Sequence, residues 1–286
     1  MSDHDVSPAG QGAGDHEVDR DHFVLSPRPW LAGCSDVGRR HLHNQDALAL
    51  AGRETDEGRV AILVISDGVS TSIGSEVSAA VAAEVTCNTL VAMLRTQPGA
   101  SVDQVQATLE DACRAANDAV LSTPGPGPEP GSCTLVAAVA NRGQITVGNI
   151  GDCRAYWIGD DDQASLLSVD DSMAQVRIDM GMSREEAETS FQAHAITRWL
   201  GPDSKDATPR QISFEQPGAG WLMVCSDGLW NYCSPADQMR ALVHEAAAQC
   251  DQRSAETTAM LVSWANEQGG RDNITVALAR LEDPQR

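Results

Sequence analysis

Three aspartates in this chain stand at the ends of strand-like runs, and that placement is where chemistry could occur. The run Ala61-Ile62-Leu63-Val64-Ile65-Ser66 is apolar and largely β-branched, which reads as a buried strand, and it stops at Asp67-Gly68. Trp221-Leu222-Met223-Val224-Cys225-Ser226 repeats the device and stops at Asp227-Gly228. Asp272 lies just ahead of the strand-like Asn273-Ile274-Thr275-Val276-Ala277-Leu278. Two carboxylates brought to about 4 Å repel by about 4 kcal/mol at an effective dielectric of about 20. Either one of them takes up a proton, or a hard divalent cation neutralises the set. Oxygen-only ligands select Mg²⁺, Mn²⁺ or Ca²⁺ over zinc. Gly68 leaves its carbonyl uncovered and able to act as a further oxygen ligand. A single strand-Asp-Gly is an ordinary turn. Its recurrence favours the cation.

The elements that must position these residues follow from periodicity and turn chemistry. Residues 1–27 are rich in Asp, His, Gly, Ser and Pro and too poor in apolar side chains to offset the entropy of ordering, which predicts a disordered tail. In that tail His4, His16 and His22 read as solvated side chains rather than a metal tract. Order is expected to begin near Trp30. The polar segment Arg39-Arg40-His41-Leu42-His43-Asn44-Gln45-Asp46 offers two guanidinium groups suited to phosphate and a carboxylate beside a strand, although adjacent arginines are also common on surfaces. The spacing of Val77, Val81, Val85, Leu90, Val91 and Leu94 predicts a helix. That of Val102, Val105, Leu109, Cys113, Ala116 and Val120 predicts a second, packed with the first on a sheet. The Pro/Gly run 124–131 reads as a domain linker or a surface loop.

From Ser132 the pattern turns to β, with strands expected over 133–140, 145–150, 151–158 and 166–167 in one antiparallel meander and Asp152 at a Gly-Asp break between two of them. Residues 170–190 are polar, carry the capping box Ser183-Arg184-Glu185-Glu186, and predict a surface excursion that could act as a lid. His194 beyond it reads as a surface or structural histidine. A strand over 211–214 and helices over 235–249 and 254–268 follow, the last stopped by Gly269-Gly270.

A formal charge of −21 and a pI near 4.5 exclude a surface that neutralises nucleic-acid phosphates or adsorbs to an anionic membrane. A compact anionic substrate would need a local cation to approach such a surface. The hydrophobic fraction of 42% over 286 residues sustains a sizeable core. The 8 cysteines form no Cys-x-x-Cys pair, and several sit in apolar runs, which is the usage of reduced thiols in a cytosolic protein. The start Met1-Ser2-Asp3-His4-Asp5 lacks a signal peptide's basic start and apolar stretch. No apolar run is expected to be long enough to cross a bilayer, so the expected location is cytoplasmic.

Ser35-Asp36-Val37-Gly38 with Asn44-Gln45-Asp46-Ala47, Asp67-Gly68, Gly151-Asp152-Cys153-Arg154, Ile196-Thr197-Arg198-Trp199-Leu200-Gly201, Cys225-Ser226-Asp227-Gly228-Leu229 and Gly270-Arg271-Asp272-Asn273-Ile274-Thr275 occur in this order. Together they resemble the metal-dependent serine/threonine protein phosphatases, the PPM or type 2C family in its bacterial form, over about residues 30–281. The resemblance implies one α+β domain over 28–286, a four-layer α-β-β-α sandwich of two antiparallel sheets flanked by helices. It also implies a centre of two Mn²⁺ or Mg²⁺ ions at one end. Asp67 matches the bridging ligand, the Gly68 carbonyl a ligand of the second ion, and Asp227 and Asp272 ligands of the first. Asp152 matches the holder of a third, weaker ion, and Asp46 completes the metal set. Asp67, Asp227 and Asp272 are thereby the catalytic residues, and 170–194 matches a mobile flap. His41 falls where a phosphate-binding arginine is expected, so Arg39, Arg40 and His41 form the phosphate-binding set. Gln45 stands where many members carry a glutamate, and Val69-Ser70-Thr71 replaces a glycine pair. The implied activity is hydrolysis of phosphoserine and phosphothreonine in proteins by a metal-activated water, in a monomer that opposes a serine/threonine kinase. The alternative is a catalytically silent phosphate-binding or regulatory module on the same fold.

Overall fold

Strands with apolar side chains on both faces need covering twice, and the chain achieves this with four layers. The computed structural model describes residues 21–127 and 129–284. Strands β1 (His22–Arg28), β2 (Leu31–Asp36), β3 (Asp46–Thr55) and β4 (Gly58–Asp67) lead into helices α1 (Ser75–Thr96) and α2 (Val102–Ser122). Then come β5 (Leu135–Asn141), β6 (Gln144–Ile150), β7 (Arg154–Gly159) and β8 (Ala164–Leu166), and the short helices α3 (Met173–Asp179) and α4 (Arg184–Glu188). Strands β9 (Arg210–Glu215) and β10 (Gly220–Cys225), helices α5 (Asp227–Trp230), α6 (Ala236–Gln249) and α7 (Ser254–Gln268), and strand β11 (Ile274–Leu281) complete it.

One sheet runs β3-β4-β5-β6-β9 and the other β1-β2-β11-β10-β7-β8, with antiparallel neighbours. Leu48, Leu63, Ile65, Val136, Trp157 and Leu222 interdigitate between them. Helices α1 and α2 cover the outer face of the first sheet, and α6 and α7 that of the second. Each fully buried Leu or Ile contributes about 1.5–3 kcal/mol, so these three apolar layers hold the ends of both sheets in one place. The expected four-layer α+β sandwich is what forms.

Four sequence expectations need correction. The tail does not extend to residue 27: β1 begins at His22, where Phe23 and Leu25 alternate inward onto the core and His22 Nδ1 lies 2.7 Å from Asp36 Oδ2. That alternation was short and flanked by polar sequence. His4 and His16 lie outside the described residues. Second, the meander breaks between β6 and β7, which belong to different sheets. Gly151 makes the crossing at φ +98, where a Cβ would fall 2.6 Å from Thr134 Cβ. Alternation identifies the inward residues of a strand but not the sheet it joins.

Third, α1 forms as expected with Leu90 and Leu94 buried, but the rest of its buried face is Ser75, Ser78, Ala79, Ala82, Ala83, Thr86 and Cys87, with Val77, Val81, Val85 and Val91 half-buried at its margin. Small residues let the helix lie close on β3 and β4. The same helix is, by length and composition, apolar enough to cross a bilayer, which the sequence reading did not expect; half of its most apolar window is buried in the fold, as in a core helix. Fourth, 170–190 is not simply a surface excursion. Asp170, Asp171 and Ser172 are buried, and Ala174, Ala187 and Ala193 form a small core of their own.

Candidate active site

Antiparallel register brings the first pair of carboxylates together: Asp46 opens β3, Asp67 ends β4, and the two are directly opposite. On the other sheet, the end of β10 lies between β7 and β11, Cys225 opposing both Arg154 and Val276. Each of these strands has an aspartate just beyond its end: Asp227 opens α5, Asp152 precedes β7, and Asp272 precedes β11. Stacking the sheets therefore gathers Asp46, Asp67, Asp152, Asp227 and Asp272 at one end of the sandwich.

Their electrostatics reflect the crowding. Burial, then the charges of Asp46, Asp227, Asp152 and Asp272, raises Asp67 well above the usual carboxylate range. Burial followed by Asp152, Asp272 and Asp46 does the same to Asp227. Burial pushes Asp46 up to about 6 and Asp152 up to about 7. Buried carboxylate oxygens ordinarily find donors. Here Asp46 Oδ1 and Asp227 Oδ1 are buried and have no hydrogen-bond partner, while their second oxygens do. Among the described residues no three His, Cys, Asp or Glu side chains are already grouped closely enough to hold one metal ion between them.

The partnered oxygens show how the sheets are joined. Asp46 Oδ2 accepts from Ser226 Oγ at 2.8 Å and Thr275 Oγ1 at 2.6 Å, both from the opposite sheet. Asn273 donates to the Val37 and His43 carbonyls at 2.9 and 3.2 Å and accepts from the Gln45 backbone at 2.8 Å. Asn231 donates to Asp227 Oδ2 at 3.0 Å. Sequence reasoning passed over Ser226, Thr275 and Asn273, although each is adjacent to a candidate aspartate or inside a strand that follows one. A polar residue within an otherwise apolar strand end was the signal.

Gly68 is glycine for space as well as for its carbonyl. A Cβ would fall 2.8 Å from the Gln45 carbonyl and 2.9 Å from Ser75. The ladder around it runs through its neighbours, Val69 N to Ser132 O at 2.9 Å and Thr134 N to Asp67 O at 2.8 Å, which leaves the Gly68 carbonyl outside that ladder. Gln45 turns away from the carboxylates and donates to Ser75 Oγ at 2.5 Å.

The expected phosphate-binding residues sit beside Asp272. His41 Nε2 is 3.2 Å from Asp272 Oδ1. Arg39 is held through its backbone by the Gly270 carbonyl at 2.8 Å, and the side chains of Arg39 and Arg40 are exposed. His194 faces Trp230, with ring centroids 5.6 Å apart, and so has a packing role.

A second polar cluster supports this end of the molecule from behind. Arg154 is fully buried, with its guanidinium 3.6 Å above the Trp230 ring. It donates to Asp170 at 2.7–3.1 Å, to Glu188 on α4 at 2.7 Å and to Ser234 at 2.8 Å. Trp230 in turn donates to the Asp152 carbonyl at 2.9 Å. One cation thus joins β7, α4, α5 and the turn that carries Asp152.

The chain is 25% identical over 253 residues to the serine/threonine phosphatase stp of Listeria innocua, an alignment covering 85% of this chain and 92% of that one. The crystal structure of the Mycobacterium tuberculosis serine/threonine phosphatase PstP/Ppp superposes with a TM-score of 0.66 at 27% identity, over 88% of this chain and 98% of that one. The catalytic domain of the serine/threonine protein phosphatase PstP, solved in complex with 2 manganese ions, gives 0.64 at 25% identity over 88% and 98% of the two chains. The profile of the protein phosphatase 2C family matches residues 37–265, and the chain belongs to that family.

Proposed function

We propose that the acidic end of the sandwich is a metal-dependent active site that hydrolyses phosphoserine and phosphothreonine in proteins. One observation carries this reading: carboxylates from both sheets are crowded together with buried, unpartnered oxygens on Asp46 and Asp227, an arrangement that is costly unless cations complete it. Asp67, Asp227 and Asp272 would hold the ions, with the Gly68 carbonyl and Asp152 as further ligands. Asp46, fixed by Ser226 and Thr275, would keep its free oxygen aimed at the same place. The manganese-bound PstP relative supports Mn²⁺ or Mg²⁺ in this role. When bound, such ions supply an activated water and a clamp for the phosphate oxygens. Arg39, Arg40 and His41 would receive the phosphate, the arginines by forked hydrogen bonds and His41 through a ring N–H. Serine/threonine kinase products are the matching substrate class. Gln45, bonded to Ser75, is left to position the Gly68 loop rather than to carry charge.

The direct test is turnover of para-nitrophenyl phosphate and of a phosphothreonine peptide, with Mn²⁺ and with chelator. Activity should appear only with the metal, and equal rates in both conditions would end the reading.

The raised carboxylates give a second test. Because Asp46 and Asp152 titrate near 6 and 7 rather than near 4, the folded protein binds more protons than the unfolded chain between about pH 4 and 7. Their contribution is therefore fully present below about pH 4 and lost as pH rises through those values. In chelator, the melting temperature should fall by at least about 3 °C between pH 5 and 7.5, and saturating Mn²⁺ should reverse the fall at pH 7.5. A metal-free protein that grows more stable over this window would show that the carboxylates are not crowded in solution.

A further inference from the structure

We infer that a groove beside the acidic centre is a subsite for a basic side chain, lysine or arginine, of the phosphorylated substrate. The inference rests on the phosphatase reading above and adds a substrate class to it. The groove is a cavity of about 490 Å³ between the turn that follows Gly68 and the segment 196–203. Val69 and Ile73 form one wall, Ile196 and Trp199 the other, and Glu129 and Asp203 stand on its rim.

Both walls are fixed. Val69 donates to the Ser132 carbonyl at 2.9 Å, and Ser132 donates back to Ser72 Oγ at 3.0 Å. The Trp199 indole donates to the Pro202 carbonyl at 2.9 Å, and Ser204 Oγ to the Trp199 carbonyl at 2.7 Å. Cys133 bridges Gly68 on one side and Leu200 on the other, which ties the two walls to the same piece of backbone. Val69, which lines the groove, is two residues from Asp67, so the Cα atoms of the two lie within about 7 Å of each other. An extended peptide advances about 3.3 Å per residue, which puts a side chain about one to three residues from the phosphoresidue into the groove.

An aliphatic wall with an acidic rim suits a long apolar stem ending in a cation. Trp199 in the lining adds an aromatic ring, which attracts guanidinium over its face. Glu129 and Asp203 are exposed, and among the described residues neither has a cationic partner. A purely apolar substrate residue would leave the rim unused, and an acidic one would be repelled by it and by the chain's charge of −21.

The test compares the full chain with the double variant Glu129→Gln, Asp203→Asn. Residue 203 has φ +62, a conformation asparagine adopts as readily as aspartate. Phosphothreonine peptides carrying Arg, Ala or Glu at each of three positions on either side are assayed with Mn²⁺, beside para-nitrophenyl phosphate. For at least one position the wild type should prefer Arg to Glu by about tenfold in kcat/KM, mostly through KM. The variant should lose about fivefold of that preference, with aryl phosphate turnover unchanged within about twofold. No Arg preference in the wild type, or the same preference in the variant, would overturn the subsite. A wild type inert toward the aryl phosphate would overturn the phosphatase reading instead. The anisotropy of fluorescein-labelled Arg and Glu peptides on the two proteins would then decide the groove by the same comparison.

Discussion

Asp67→Asn is expected to lower kcat on a phosphothreonine peptide by at least about a thousandfold while raising the melting temperature of the metal-free protein. The two effects have one origin. Asp67 is opposite Asp46 in the β3–β4 register and feels the charges of Asp46, Asp227, Asp152 and Asp272. An amide in its place removes an anion from that set, and each relieved contact between charges at about 4 Å contributes up to about 4 kcal/mol at an effective dielectric of 20. Partial protonation of the crowded carboxylates at neutral pH already offsets much of this repulsion. A net gain of about 1 kcal/mol, or about 2–4 °C, is therefore the expected reading in chelator. With metal the sign reverses, because a neutral amide is a weaker ligand for a hard cation than a carboxylate. Loss of several kcal/mol of transition-state charge stabilisation corresponds to about three powers of ten in rate. Activity within tenfold of wild type would remove Asp67 from the site. A lower melting temperature in chelator would show instead that the variant had damaged the fold.

The aspartates were legible because the chemistry and the fold leave the same mark on them. A strand buried on both faces reads as an unbroken apolar run, and an abrupt carboxylate-glycine at its end stands out against that run, at Asp67 and at Asp227. The two helices at 236–249 and 254–268 were equally plain, since their apolar spacing and terminal Gly269-Gly270 agree. What stayed hidden was whatever depends on the meeting of two layers. Nothing in the sequence of β5 to β7 indicates that the chain changes sheets at Gly151. The serine, threonine and asparagine that join the sheets at Asp46 look like ordinary polar residues until β3, β10 and β11 are brought together. Along α1 the valines stay at the margin for a related reason: valine is the stronger hydrophobe, but alanine and serine permit the shorter distance between helix and sheet. Residues 170–190 looked too polar for an interior because their buried carboxylates have partners outside the segment, Asp171 in Arg198 and Arg210, and Asp170 and Glu188 in one arginine upstream of it.

Arg154 is that arginine, and Arg154→Met is expected to cost about 3–5 kcal/mol of stability, enough to lower the melting temperature by about 6–20 °C. Methionine keeps the aliphatic stem of the side chain but ends short of the guanidinium that lies over Trp230, so a small cavity adds to the loss, and the larger part of that loss is electrostatic. It comes from Asp170 and Glu188, which are 3% and 15% exposed and would keep their charges with fewer partners. Glu188 retains Arg184 at 3.0 Å and Ser234 at 2.9 Å, whereas Asp170 has Arg154 as its bidentate partner. Most of the cost should therefore be traceable to Asp170. The double variant Arg154→Met, Asp170→Leu removes the stranded carboxylate together with the cation and should recover a large part of the stability, since apolar replacement of a buried ion pair is often near neutral. Urea denaturation of wild type, both single variants and the double variant gives the coupling directly. Additive losses, or a single-variant cost below about 1 kcal/mol, would show that the pair does not carry this region. The same cycle bears on activity, because Trp230 is held between Arg154 and the Asp152 carbonyl. If the cluster positions that turn, the folded fraction of Arg154→Met should need more Mn²⁺ for half-maximal turnover, and the double variant should not restore the wild-type requirement, because neither replacement returns the stacked guanidinium.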